Sequence, residues 1–116
     1  MKLAGWSLLF VVILSVPALS GPAEEAWEAY LAGDFETVEA IVTESVADTS
    51  IDIKAHARLY LVLGCSDAMR GRDRTAAAEF EQALILDPTI KLTAADIPPP
   101  VWRVFKTVWD LSLIHI

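Results

Sequence analysis

From Glu24 to Leu84 apolar side chains return every three or four residues, and only short turn-forming points break the pattern. That spacing is the period of an α-helix with one face turned inward, so it restricts the chain to helical architectures. Trp27, Tyr30 and Leu31 mark a first helix over 24–32. Pro22 lies just ahead of it, where a first-turn amide has no partner in any case, and Gly33 ends it. Asp34 is expected to cap a second helix carrying Phe35, Val38, Ile41, Val42 and Val46. After the polar turn Asp48-Thr49-Ser50, a third helix runs from about Asp52 to Met69, with Ala57, Tyr60, Leu61, Gly64 and Ala68 on one stripe and Gly71 as its stop. Asp73 is expected to cap a fourth, in which Ala76, Phe80, Ala83 and Leu84 repeat until Pro88 ends the ladder. The reading over residues 21–88 is therefore all-α, with four helices paired as two antiparallel hairpins.

Beyond Pro88 the helical period fails. Thr89-Ile90-Lys91-Leu92-Thr93 alternates and is β-prone, and Pro98-Pro99-Pro100 favours an extended, polyproline-like course, so 89–100 reads as a connector. A further helix starts at Val101 and runs through 101–110, with Trp102, Phe105 and Trp109 on one face and Val101, Val104 and Val108 beside them.

Both ends are set apart from the domain. Lys2 followed by the apolar run Leu8–Val16 and then Pro17 has the three-part form of a secretory signal over 1–20. Ala18 and Ser20 put small side chains three residues and one residue before a cut at Gly21, and Val16-Pro17-Ala18 offers a second site. The apolar run is shorter than the ~20 residues a spanning helix needs, so cleavage and no stable membrane span are expected. With no cysteine near the cut, a lipid anchor is not expected. At the other end, Leu111-Ser112-Leu113-Ile114-His115-Ile116 resembles the translated transposon end used in sequencing-library preparation, which makes 111–116 an expected artefact.

Charge narrows the partners. Residues 21–53 hold nine acids and no Lys or Arg, whereas 54–74 hold five bases against Asp67 and Asp73. The whole chain carries a net charge of −7, which opposes the phosphate attraction that nucleic-acid binding requires, so no nucleic acid is expected. Cys65 is the only cysteine, so packing rather than an intramolecular disulfide must hold the domain. No Asn is present, which excludes N-glycosylation.

The second hairpin carries a more specific pattern. Tyr60, Leu63, Gly64 and Asp67, then Ala76 and Phe80, then Ala83 and Pro88, resemble the tetratricopeptide repeat in residue type and spacing. Tyr60 stands where that family usually has Trp, and Asp67 where it has Tyr; Asp67 is expected to pair with Arg70. The first hairpin resembles the family less closely, through Gly33-Asp34-Phe35-Glu36 and Val38. The tail from Asp87-Pro88 to Val104-Phe105 resembles exported bacterial proteins of this repeat class.

The resemblance implies a short α-solenoid whose Gly64 and Ala76 sit where two helices cross, with Phe80 and Leu63 filling the space between. It also implies a concave face presenting Arg58, Leu61, Val62, Cys65 and Met69 to a protein partner, unless the helix from Val101 covers that face. The implied role is an interaction or assembly scaffold in the bacterial periplasm or cell envelope. The alternative is an N-terminal accessory domain of a larger envelope protein.

Catalytic patterns are absent from the sequence. His56 and Cys65 lie nine residues apart on one helix with no further ligands to complete a metal site, and no base is spaced to activate Cys65. Glu24, Glu25 and Glu28 read as a solvated helix face rather than a cation site. There is no glycine-rich phosphate loop and no Ser/His/Asp set. Neither enzymatic activity nor a metal or cofactor is expected.

Overall fold

The computed structural model describes residues 21–114, with side chains described as far as Ser112. Five helices follow one another: α1 (Pro22–Leu31), α2 (Phe35–Ser45), α3 (Ile53–Met69), α4 (Asp73–Leu86) and α5 (Pro99–Ile114), and no strand occurs among the described residues. The expected signal region and its cleavage residues Ala18 and Ser20 lie outside the described residues.

Both hairpin turns are built the same way. Gly33 has φ +76° and Gly71 φ +79°. In the first turn the amides of Gly33 and Asp34 donate to the carbonyls of Tyr30 and Ala29, at 2.9 Å each. In the second, the amides of Gly71 and Arg72 donate to Ala68 and Asp67, at 3.1 and 2.8 Å. This is the Schellman arrangement, which satisfies the orphan carbonyls at a helix end and requires a left-handed residue that glycine supplies without a Cβ clash. The next helix then begins two residues after each glycine, and α1 pairs with α2 as α3 pairs with α4.

Capping follows expectation in one hairpin and departs from it in the other. Asp34 caps α2, its Oδ1 accepting from the Thr37 amide at 3.2 Å and its Oδ2 from the Thr37 hydroxyl at 2.6 Å. Asp73 does not cap α4; Arg72 occupies the cap position and Asp73 is the first helical residue, where its charge still faces the positive helix end. Between the hairpins, Asp48 Oδ1 accepts from both the amide and the hydroxyl of Ser50, closing the polar turn.

The stripe expected on α3 is too narrow. Besides Ala57, Gly64 and Ala68, the helix buries Leu59, Val62, Cys65, Ser66 and Asp67, because it packs against α1, α2, α4 and α5 at once. Tyr60, Leu61 and Leu63 are only half-buried. Burial of each large aliphatic side chain contributes about 1.5–3 kcal/mol, which makes α3 the axis of the domain.

The three prolines divide their work. Pro98 accepts helix-opening bonds through its carbonyl from the amides of Val101 and Trp102, at 3.0 Å each, while Pro99 and Pro100 form the first turn of α5. The helix therefore starts before Val101, and the expected polyproline strip does not form, since a first-turn proline forfeits no hydrogen bond. Helix α5 turns Val101, Val104, Phe105 and Val108 inward. The ring of Phe105 meets Phe80 of α4 edge-on, with centroids 5.4 Å apart and planes at 89°.

Candidate functional site

Helices α1 and α3 leave a groove of about 530 Å³ between them. Ala23 and Trp27 of α1 form one wall, Arg58, Leu61 and Val62 of α3 the other, and Leu92 reaches in from the connector. The lining is mostly apolar. Its rim is charged: the Arg58 guanidinium lies 3.8 Å from the Glu24 carboxylate, both about half exposed.

Arg58, Leu61 and Val62, three of the five residues expected to face a partner, come together here. Val62 is 2% exposed and offers only a floor to the groove, and Cys65 is 0% exposed and cannot touch a partner in this conformation. Burial pushes the Cys65 thiol up to about 12, so it is not a reactive group. Met69 is exposed but lines a separate depression of about 390 Å³ with Trp27, Tyr30, Ile97 and Pro98. Of the packing residues, Gly64, Ala76, Phe80 and Ala83 are buried, Tyr60 and Leu63 are half-buried, and Pro88 is exposed just past the end of α4.

The connector, rather than α5, borders both depressions on this face. Leu92 closes one end of the α1–α3 groove, while Asp96, buried Ile97 and Pro98 border the other depression. The alternation in 89–93 has its cause here: Ile90 and Leu92 pack on the core while Lys91 and Thr93 face outward, without any partner strand. Trp27 and Leu92 are groove residues that the sequence reading did not single out. The signal available for Leu92 was that alternation, taken as a β tendency.

On the opposite side of α3 lies a polar cluster. Asp67, with its side chain 3% exposed, takes the Arg72 guanidinium at 3.5 Å, so it pairs with Arg72 and not with Arg70. The i+3 partner is drawn away because Glu39 of α2 holds both arginines, Arg70 at 3.4 Å and Arg72 at 3.3 Å. Glu79 of α4 approaches Asp67 within hydrogen-bonding reach, and its Oε1 is buried with no donor of its own. Burial first, then the Asp67 carboxyl, pushes Glu79 up to about 9.

Among the described residues no group of three His, Cys, Asp or Glu side chains is arranged to hold a metal ion, and no helix is long and apolar enough to cross a membrane. Comparison with described protein families, with curated proteins and with solved structures finds no match to this chain.

Proposed function

We propose that the chain is an exported, tetratricopeptide-like interaction module that holds a protein partner in the bacterial periplasm or cell envelope. The observation that carries this reading is the α1–α3 groove, apolar along Trp27, Leu61 and Leu92 and edged by the exposed Arg58. Apolar concavities with a few charged rim groups suit the anchoring of one or two large side chains of a partner segment. The two identical glycine turns support a repeat, since each hairpin is then one copy of a single helical unit. The signal-like 1–20 segment supports export.

The test is site-specific photo-crosslinking from Leu61 in the source cell. A discrete crosslinked protein that disappears in Arg58→Glu and persists in a control variant on the far side, Glu44→Lys, supports the reading. Equal recovery from all three, or none from any, refutes it. Sequencing the N-terminus of the purified protein tests export, with Gly21 as the expected first residue.

The second reading, an N-terminal accessory domain of a longer envelope protein, draws on the open α4–α5 face. There Ile85 is 65% exposed next to Val108, an apolar patch suited to a further helix. Resequencing the source DNA past Asp110 tests it; a stop codon there would remove it.

A further inference from the structure

We propose that Asp67 and Glu79 share one proton, and that this proton is a clasp between the two hairpins which tightens as the surroundings acidify. The geometry starts from two carboxyl groups within hydrogen-bonding reach in a largely water-excluded place. If both were ionised, like charges would abut where little solvent screens them, so one carboxyl must keep its proton. Arg72 lies against Asp67 and favours its carboxylate, whereas Glu79 Oε1 has no donor at all. Glu79 is therefore the acid, and its O–H donates to the Asp67 carboxylate.

From there the chain of contacts crosses the whole junction. Glu79 of α4 holds Asp67 of α3; Asp67 holds Arg72 of the second turn; Arg72 holds Glu39 of α2, and Arg70 of α3 joins the same Glu39 carboxylate. Three of the four helices in the two hairpins are thus tied through one proton at the buried end. The groups acting on Glu79 are Asp67 from α3 and Glu39 from α2, which oppose its ionisation, and Arg72, which favours it. Helix α5 also packs on α4, but its Arg103 goes to Asp73 at 3.4 Å.

The direction of the pH effect follows from linkage. In the unfolded chain Glu79 ionises like an ordinary glutamic acid near 4.5, while in the folded protein it holds its proton up to about 9. Across that window the folded state binds more protons than the unfolded one, so its stability is complete at the acid end and declines as pH rises. Above the window the loss levels off, and the clasp itself opens near the upper limit.

Equilibrium unfolding of the purified protein in denaturant, repeated in pH steps across the window, tests this. For wild type the unfolding constant is expected to grow by up to about tenfold per pH unit, the limit for one proton. In Glu79→Gln, whose amide still donates to Asp67, that growth is expected to vanish. The same slope in both proteins overturns the proposal. If Glu79→Gln does not fold, the carboxyl-carbon NMR resonance of Glu79 in wild type decides. Titration near the upper limit supports the shared proton, and titration in the ordinary carboxylate range refutes it.

Discussion

A Cβ placed on Gly64 would stand 2.6 Å from Cε1 and 2.7 Å from Cδ1 of Phe80, closer than real side chains approach one another. The absence of a side chain on α3 is what lets the Phe80 ring of α4 lie fully buried against the helix backbone. Since α3·α4 is the most extensive helix contact in the domain, this one pair sets how closely the second hairpin closes.

Gly64→Ala accordingly brings two opposed effects. Alanine gains about 1 kcal/mol of helix propensity over glycine, while overpacking a filled core costs about 1–3 kcal/mol. With the ring hemmed in by Phe105, overpacking wins, and chemical denaturation is expected to show a net loss of about 1–2 kcal/mol. Combining Gly64→Ala with Phe80→Leu should cost less than the two changes summed, because the smaller side chain releases the clash.

Phe105→Ala tests whether α5 belongs to the same cooperative unit as the hairpins. Phe105 is 2% exposed, edge-on to Phe80 and stacked with Trp109 at 6.1 Å. Truncation is expected to cost about 3–5 kcal/mol, seen as one transition shifted to lower denaturant. Two separated transitions would mean that α5 unfolds independently.

The thiol of Cys65 should be silent in the native protein. Burial removes it from reagents and raises its pKa to about 12, so little thiolate exists at neutral pH. Labelling with a thiol reagent is expected to be prompt in denaturant and slower by at least about a thousandfold in native buffer, where it must wait for unfolding. Prompt native labelling would place Cys65 at an accessible surface.

Arg58→Glu separates binding from folding. The Arg58–Glu24 pair spans 3.8 Å with both side chains about half exposed, and exposed pairs of that kind contribute about 0–1 kcal/mol. Stability by thermal melting should therefore change little, while partner crosslinking from the groove is lost. A large drop in melting temperature would show that the substitution acts through the fold instead.

Much of this arrangement was readable along the chain, and the reason is locality. Helix period, the two turn glycines and the Asp34 cap all depend on residues within about four positions of one another. Errors arose where the partner came from elsewhere. Asp67 looks like the i+3 partner of Arg70 until Glu39, nearly thirty residues earlier in the chain, claims that arginine. Cys65 and Val62 look outward on a helical wheel until four other helices close around α3. The strip 89–93 alternates as a strand would, yet it lies on helices, because two buried side chains need only an apolar surface and not a neighbouring strand.

The amino-acid sequence alone determined that the domain is helical and where its helices turn, since backbone hydrogen bonds and left-handed glycines act over a few residues. Tertiary structure alone decided which face of α3 stays open and which acid keeps its proton. Both depend on groups far apart in the chain being brought together where water is excluded.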